Sequence, residues 1–256
     1  MQLSNRHYIA MPPISATVVA CNEANKIARA LRSLACADEI VLIDSGSTDR
    51  TPAIAAELGA RVIEQPWLGY AAQKNLASRH ARHDWILSLD ADEELDPLAQ
   101  DAIRAWKGSQ PTADGYRLAR RANYLGRWIL HSGWYPGYKI RLFDRRKARW
   151  EGNYVHESVT VNGRVATMPG EILHYTCDTV EEHLQRIELY TDLAAQEMRE
   201  RGETVPLLRR WLDPFWVFVH TYFFRLGVLD GRQGLLIARL AARYVRRKYA
   251  KLGRAG

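Results

Sequence analysis

Two aspartates separated by one residue are the feature of this sequence most suited to chemistry. Asp90 and Asp92 follow the apolar segment 85–89, which predicts a buried strand of a parallel sheet. The carboxyl edge of such a sheet is where open α/β folds bind ligands. Carboxylate oxygens in that position suit Mg²⁺ or Mn²⁺ carrying phosphates. Because most Asp-x-Asp pairs are simply solvated turns, this interpretation depends on the elements beside the pair.

A second acidic strand end lies upstream. Residues 40–43 are apolar and favour a β-strand, which ends at Asp44. Residues 45–48 are typical of a turn. Asp49 or Thr51 is suited to cap the helix that follows. Two strands with acidic ends predict that their carboxylates lie at one edge of the sheet.

The segments around these carboxylates alternate between strand and helix. Further strands are predicted over 14–20 and 61–64, and helices over about 26–34 and 69–82. Strands that alternate with helices in this way indicate a parallel α/β sheet of the nucleotide-binding kind.

Three motifs of this chain resemble the signatures of family-2 glycosyltransferases that have the GT-A fold. They are residues 20–23 (Ala-Cys-Asn-Glu), 44–49 (Asp-Ser-Gly-Ser-Thr-Asp) and 89–93 (Leu-Asp-Ala-Asp-Glu), in the order and spacing of that family. A longer pattern is similar to bacterial lipopolysaccharide inner-core β-1,4-glucosyltransferases that act on heptose. That pattern includes residues 140–143, 150–157, 174–175 and 227–234.

The resemblance implies an α/β fold of GT-A type, with a Rossmann-like, mostly parallel sheet flanked by helices and a C-terminal helical extension. We therefore expect a leader over 1–13, a catalytic domain over 14–200 and a basic, aromatic extension over 201–256. The implied activity is inverting transfer of a hexose, with UDP-glucose as the expected donor, to a lipopolysaccharide inner-core heptose.

The same resemblance implies a set of residues for the donor. Asp92 is expected to bind a divalent metal, Mg²⁺ or Mn²⁺, and Asp90 to contact the ribose or the metal shell. Asp44 resembles the carboxylate that reads the uracil, with Glu23 and the backbone of Ala20 helping to form the base pocket. A cation there would stabilise the charge on the leaving diphosphate.

Two further residues are expected near the diphosphate and the metal. Lys74, on the predicted helix 69–82, could reach the diphosphate, although a lysine on a helix is often just solvated. His174, after a predicted short strand over 171–173, resembles the C-terminal histidine that completes a metal shell in some GT-A enzymes. A structural histidine is the alternative, since imidazole is softer than such a cation prefers.

An acceptor hydroxyl must lose its proton as it attacks, and this requires a base on the far side of the sugar from the diphosphate. Glu157 matches the place of the acidic residue that plays this part in the family. His156 could orient Glu157 or the acceptor, and a structural role is the alternative. Direct displacement with one base would invert an α-linked donor to a β product.

The middle of the chain predicts where an acceptor could bind. Residues 116–165 are rich in aromatic and basic side chains, which suit a sugar platform, although an ordinary aromatic core gives the same pattern. Within the segment, the candidate acceptor contacts are Trp134, Tyr138, Arg141 and His156.

The positive charge is concentrated at the C-terminal end. The net charge is +7, and the segment from Arg201 onward carries twelve Lys or Arg against three Asp or Glu. A predicted helix over 235–252 is basic and amphipathic, and an aromatic run precedes it, which together indicate binding to an anionic membrane surface. The basic side of this helix is expected to comprise Arg239, Arg243, Arg246 and Arg247. A packed helix with a solvated basic face is the alternative, and no motif supports nucleic acid as a partner.

Cysteine usage and the N-terminal sequence predict the compartment. Three cysteines without metal or redox spacing suit a reducing cytosol, and the N-terminal sequence lacks the pattern of a signal peptide. We therefore expect a cytoplasmic protein, peripheral on the inner membrane.

Other functions fit parts of the same pattern. The acceptor could be a polyprenyl phosphate or a protein side chain, because the fold alone does not choose an acceptor. A catalytically inactive nucleotide-sugar-binding regulator would keep the fold, although the full set of acidic residues argues against loss of turnover. A membrane-surface scaffold would need only the basic segment.

Overall fold

A computed structural model describes residues 12–152 and 157–253 of the chain, and these divide into two compact units. The described part of the first unit comprises residues up to 119 together with 138–152 and 157–173. The second unit comprises 120–137 and 174–253. The helix that ends at residue 200 belongs to the second unit, and the expected domain bounds stay a prediction. The expected leader lies outside the described residues except for Pro12 and Pro13.

Parallel strands form one half of the sheet in the first unit. They are β1 (Ile14–Ala20), β2 (Glu39–Asp44), β3 (Arg61–Glu64) and β4 (Trp85–Asp90). Their order is β3-β2-β1-β4, and all three neighbouring pairs are parallel. Ala20 pairs with Asp44, and Val19 pairs with Asp90. The two acidic strand ends therefore flank the end of β1, as the sequence predicts.

The other half of the sheet contains antiparallel pairs. Its strands are β5 (Glu93–Leu95), β6 (Gly115–Tyr124), β8 (Lys139–Asp144) and β11 (Val165–Cys177), in the order β8-β6-β11-β5 beside β4. Strand β8 runs antiparallel to both β4 and β6. The sheet thus joins a parallel half to a half that contains antiparallel pairs. A separate hairpin pairs β9 (Ala148–Glu151) with β10 (Ser158–Val161).

Four helices complete the first unit. They are α1 (Ile27–Ser33), α2 (Thr51–Glu57), α3 (Tyr70–His80) and α4 (Pro97–Lys107). At the start of α2 the Asp49 carboxylate accepts a hydrogen bond from the backbone N–H of Thr51 at 2.8 Å, while Arg50 occupies the cap position. The two residues expected to cap the helix, Asp49 and Thr51, therefore flank the cap position on either side.

The strands that lead to the site are anchored in the core of the first unit. Side chains of β1, β4 and the flanking helices are almost completely removed from water. The core includes Ile14, Val18, Leu31, Leu34, Leu87, Leu89, Leu118, Leu142 and Ile172. Burial of this apolar surface stabilises the sheet and fixes the position of the polar residues that follow each strand.

The second unit is mainly helical. Its strand β7 (Arg127–Ile129) pairs antiparallel with the end of β6. Its helices are α5 (Val180–Glu200), α6 (Leu207–Val219), a π-helical turn (His220–Phe224), a 3₁₀ turn (Gly227–Asp230) and α7 (Gly231–Leu252). A Cβ atom on Gly234 would lie 1.8 Å from the carbonyl oxygen of Gly227, so only glycine allows this close approach. None of the helices in the described residues is both long and apolar enough to span a bilayer.

Helix α7 packs on its neighbours in the second unit and is not an isolated basic helix. Arg247 Nε lies 2.8 Å from Glu188 Oε1 on α5. The hydroxyl of Tyr249 donates to Asp213 on α6 at 2.7 Å. The expectation that Arg247 belongs to the free basic side of the helix is therefore wrong, because its guanidinium is used inside the unit. Arg239, Arg243 and Arg246 are exposed, as predicted.

Candidate active site in the first unit

A buried lysine joins two of the predicted site residues. Lys74 Nζ lies 2.7 Å from Asp90 Oδ1 and 3.1 Å from Glu157 Oε1. The same ammonium group lies 4.3 Å from the centre of the Trp150 ring. The Lys74 side chain is only 8% exposed, so it is not a solvated helix lysine. Its position on the inward face of α3 brings a strand-end carboxylate and the predicted base into one cluster.

A buried arginine holds the other side of Asp90. Arg141 Nη2 lies 2.9 Å from Asp90 Oδ2 and 2.6 Å from Glu93 Oε2, and its side chain is 3% exposed. Burial opposes the Arg141 charge, but the carboxylates of Glu93 and Asp90 outweigh burial and raise its pKa above the usual value. This placement does not fit the expected contact of Arg141 with an acceptor, since its guanidinium is already used by two carboxylates.

Glu93 is a site residue that the sequence reasoning missed. Its side chain is fully buried and accepts from Arg141, and it also accepts the backbone N–H of Asp90 at 3.2 Å. It therefore fixes the end of β4 as well as the arginine. The sequence feature that could have indicated this residue is its place directly after Asp92, at the end of the motif 89–93.

The position of Glu157 depends on a clamp between α3 and β9. The side chain of Asn75 donates to the carbonyl of Trp150 at 2.8 Å and accepts from the backbone N–H of Trp150 at 3.0 Å. Pairing of Ser158 with Glu151 then continues the hairpin into β10. Glu157 directly precedes β10, with a side chain 17% exposed. This arrangement leaves its carboxylate partly exposed at the cluster.

Asp92 lies in the short connection between β4 and β5 and is partly exposed. Within the described ranges, no three or more His, Cys, Asp or Glu residues come close enough to form an all-protein metal site. Mg²⁺ usually takes only one or two carboxylates from the protein and completes its shell with phosphates and water. Asp92, with Asp90 beside it, fits that kind of donor set.

Asp44 organises the turn that follows β2. Its carboxylate accepts from the backbone of Gly46 at 3.2 Å, from the backbone of Ser47 at 2.9 Å and from the Ser47 hydroxyl at 2.6 Å. A carboxylate can accept about four hydrogen bonds, so these three leave room for one from a base. The side chain is 2% exposed, and its role in reading uracil stays a prediction.

The end of β1 is tied to the same turn. The carbonyl of Ala20 accepts the backbone N–H of Ser45 at 2.9 Å. The backbone N–H of Glu23 donates to the Thr51 hydroxyl at 2.8 Å, and Asn22 Oδ1 accepts the backbone N–H of Thr48 at 2.8 Å. The two loops thus support each other and leave Glu23 half-buried. The contributions of Ala20 and Glu23 to a base pocket stay predictions.

The remaining predicted residues fall in different places. His174 belongs to the second unit and lies inside the thirteen-residue strand β11, so the strand predicted over 171–173 is present but longer than expected. Trp134 also belongs to the second unit, where its ring packs edge-on against Tyr124. Tyr138 belongs to the first unit and is 47% exposed, with the Arg117 guanidinium 4.7 Å from its ring centre. His156 lies outside the described residues.

Comparison with known proteins identifies the class of enzyme. Residues 15–161 match the family described as Glycosyl transferase family 2, which is more than half of the chain. An uncharacterized glycosyltransferase of Rickettsia felis is 33% identical over 243 residues, covering 88% of this chain and 84% of that protein. The chain therefore belongs to glycosyl transferase family 2.

Two further similarities describe particular relatives. The chain is 28% identical to the lipopolysaccharide core biosynthesis glycosyltransferase LpsC of Rhizobium meliloti, over 93% of each chain. The solved structure of mannosyltransferase PcManGT from Pyrobaculum calidifontis, in complex with GDP-Man and Mn²⁺, superimposes with a TM-score of 0.53. That comparison has 17% sequence identity and covers 94% of this chain and 87% of the other. It confirms the predicted fold class, and the family confirms that the protein is a glycosyltransferase.

Proposed function

We propose that this glycosyltransferase moves a hexose from UDP-glucose to a heptose of the lipopolysaccharide inner core. One structural observation carries the proposal for the site. A single buried ammonium group, that of Lys74, contacts both Asp90 at the end of β4 and Glu157 beside β10. A donor-side carboxylate and a candidate base therefore belong to one cluster. The similarity to LpsC supports lipopolysaccharide core as the acceptor class.

Glu157 is the general base in this proposal. The acceptor hydroxyl oxygen attacks the anomeric carbon of the donor, and its proton passes to the Glu157 carboxylate. The bond between the anomeric carbon and the diphosphate breaks, and the nucleoside diphosphate leaves with that electron pair. One displacement from the face opposite the leaving group inverts an α linkage to β. General base catalysis of this kind contributes about 10²–10⁴-fold in rate.

Lys74 and Arg141 keep the carboxylates in place for this reaction. Lys74 places one positive charge between Asp90 and Glu157, which reduces the repulsion between the two acidic groups. Arg141 holds Asp90 from the other side through a buried ion pair. Both cations have restricted positions, which orients the carboxylates before any substrate binds.

A divalent cation, Mg²⁺ or Mn²⁺, is the proposed cofactor. Asp92 would hold it directly, with Asp90 in the surrounding shell and the diphosphate supplying the other oxygens. When bound, such a cation stabilises the negative charge on the leaving diphosphate. His174 is the further candidate ligand that the family resemblance suggests. Asp44, Glu23 and the backbone of Ala20 are proposed to bind the uridine.

The proposed place of action is the cytoplasmic face of the inner membrane, where the enzyme binds an anionic surface peripherally. A lipid-linked acceptor is confined to that surface, so an enzyme held there meets it more often. The excess of Lys and Arg from Arg201 onward supplies the electrostatic attraction. In the acceptor site, Tyr138 is the exposed aromatic candidate of the first unit.

The direct test is a screen of purified enzyme against nucleotide sugars and truncated lipopolysaccharide acceptors with Mg²⁺ or Mn²⁺. Mass spectrometry should detect a single added hexose on acceptors that end in inner-core heptose, with UDP-glucose as the best donor. NMR of the product should show a β linkage. Transfer only to a polyprenyl phosphate, or no transfer with any nucleotide sugar, would contradict the proposal.

A further inference from the structure

We propose that helix α6 of the second unit inserts into the interface of an anionic phospholipid bilayer, while three arginines of α7 bind lipid phosphates. This inference rests on the proposed function for the presence of a membrane partner. It goes further by assigning the surface, the element that inserts and the residues that contact the headgroups. The assignment moves the main contact from the basic helix to the helix before it.

Helix α6 exposes one continuous apolar face. Six large hydrophobic side chains of this helix are each at least half exposed to solvent. They are Leu207, Leu208, Trp211, Leu212, Phe215 and Trp216. Their spacing of one, three and four residues places them on one side of an α-helix. Exposed apolar surface of this extent marks a binding surface, since single scattered residues need no explanation but a contiguous face does.

The apolar face continues beyond the end of α6. Phe223 and Phe224 in the π-helical turn are 56% and 66% exposed, and Leu226 and Leu229 follow at 50% and 56%. The Trp211 and Trp216 rings belong to the class of side chain that accumulates at membrane–water interfaces. The whole face therefore has the composition of an interfacial helix with an added aromatic anchor.

Three arginines line a groove beside this face. Arg239, Arg243 and Arg246 of α7 share a groove of about 360 Å³ with Phe215 and Phe218 of α6. All three are exposed, and within residues 12–152 and 157–253 their guanidinium groups have no carboxylate partner. A phosphate with an attached acyl chain matches such a groove, because guanidinium groups bind phosphate oxygens and the aromatic floor accepts the chain.

The neighbouring arginine shows that this arrangement is specific to one side of α7. Arg247 directs its guanidinium to Glu188 of α5 at 2.8 Å and so contributes no free positive charge to the groove. Arg239, Arg243 and Arg246 of α7 therefore line the groove beside α6, and Arg247 does not. The chain thus provides its own matched control at an adjacent position.

The charge of the groove favours a bilayer over a second copy of the chain. Self-association through α6 about a two-fold axis would bring the arginines of both copies towards the same interface, where like charges repel. An anionic bilayer offers the opposite: apolar acyl chains for the α6 face and phosphates for the arginines. Each arginine near such a surface contributes about fivefold in binding, and salt weakens this contribution.

The test measures binding of the full chain to vesicles without donor or acceptor. Vesicles contain phosphatidylcholine alone or with phosphatidylglycerol, and the bound fraction is measured by co-sedimentation. We expect binding to the anionic vesicles. Combined replacement of Arg239→Gln, Arg243→Gln and Arg246→Gln should weaken it roughly 100-fold. The control Arg247→Gln should keep most of the binding, because that guanidinium is used within the unit.

A second pair of variants tests insertion. Trp211→Ser combined with Phe215→Ser should lose binding to the anionic vesicles, while Leu189→Ser, an exposed leucine of α5, should bind them as the native chain does. Brominated acyl chains should quench the tryptophan fluorescence, and Trp211→Phe with Trp216→Phe should remove most of that quenching. Circular dichroism confirms that each variant is folded.

Three results would overturn the inference. The first is that the triple arginine variant binds vesicles as tightly as the native chain does, and the second is that the α6 variant does so. The third is that the native chain does not bind vesicles and instead forms a dimer, detected by sedimentation, that depends on α6. The outcome is separate from that of the proposed function. Glu157→Gln should bind vesicles normally while losing transfer, and transfer by a chain that never binds vesicles would refute the membrane inference alone.

Discussion

Lys74 and Glu157 are 83 residues apart in sequence, yet Lys74 Nζ lies 3.1 Å from Glu157 Oε1 in a largely buried pair. The same nitrogen lies 2.7 Å from Asp90 Oδ1. One cation therefore compensates two carboxylates that would otherwise repel each other at short range. This relationship connects the helix α3, the end of β4 and the residue that precedes β10.

The first prediction concerns that lysine. Lys74→Met keeps most of the side-chain length but removes the charge, so Asp90 and Glu157 should separate and turnover should fall on the order of 100-fold. Steady-state kinetics with a UDP-sugar donor measures this. The matched control is Lys147→Met, which removes an exposed ion pair with Asp114 and should leave turnover unchanged. Equal effects of the two substitutions would contradict the role of Lys74.

The second prediction concerns the buried arginine. Arg141→Met leaves the carboxylate of Glu93 buried without its cation, so the free energy of unfolding should fall by about 3–5 kcal/mol. Chemical denaturation measures this change. Arg149→Met, which breaks an exposed pair with Glu151, should cost less than about 1 kcal/mol. Adding Glu93→Gln to Arg141→Met should recover part of the loss, and no recovery would count against the buried pair.

The third prediction concerns the metal. Asp92→Ala should remove transfer while the far-ultraviolet circular dichroism stays native, because its side chain is partly exposed and not part of the core. EDTA should inactivate the native enzyme, and Mg²⁺ or Mn²⁺ should restore it. Asp101→Ala, an exposed aspartate of α4, should retain activity. Metal-independent transfer by the native enzyme would contradict the assignment.

The fourth prediction concerns pH and the second unit. Burial, together with the charge of Arg186, lowers the pKa of His183 below its ordinary value of 6.5. Its Nδ1 lies 2.7 Å from the Tyr124 hydroxyl, whose pKa burial raises. As pH falls below 6.5, the unfolded chain takes up a proton that the folded state resists, and stability is lost.

Urea denaturation at several pH values tests this directly. The native chain should lose stability as pH falls through the range below 6.5. In His183→Gln the component due to this group should be absent, so the dependence on pH should be shallower. A steeper dependence in the variant would contradict the assignment.

Local pattern was enough to predict the elements that carry the donor side of the site. The predicted strands over 14–20 and 61–64 have the observed bounds, and the helix over 69–82 is observed as Tyr70–His80. Continuous apolar runs bounded by turn residues cause this success, because a strand buried on both faces needs them. The family motifs then predicted that the carboxylates lie at the C-terminal ends of these strands.

Contacts between residues far apart in sequence could not be predicted in this way. In the sequence, Arg141 is one of several basic residues in an aromatic segment. Its partner Glu93 lies 48 residues upstream, so local pattern does not connect the two. The antiparallel course of β8 beside β4 is what brings the two together. Likewise, Arg246 and Arg247 are adjacent and equal in charge, and only the position of Glu188 on α5 separates their roles.

The measurement that tests the central claim most directly is the turnover of Glu157→Gln. The substitution preserves size and keeps one oxygen acceptor for Lys74, but it removes the negative charge and the ability to accept a proton. The account predicts a turnover rate lower by at least about 10²-fold, with little change in the affinity for UDP-sugar measured by titration calorimetry. A native turnover rate, or a loss of donor binding with a normal maximal rate, would contradict the assignment of Glu157 as the base.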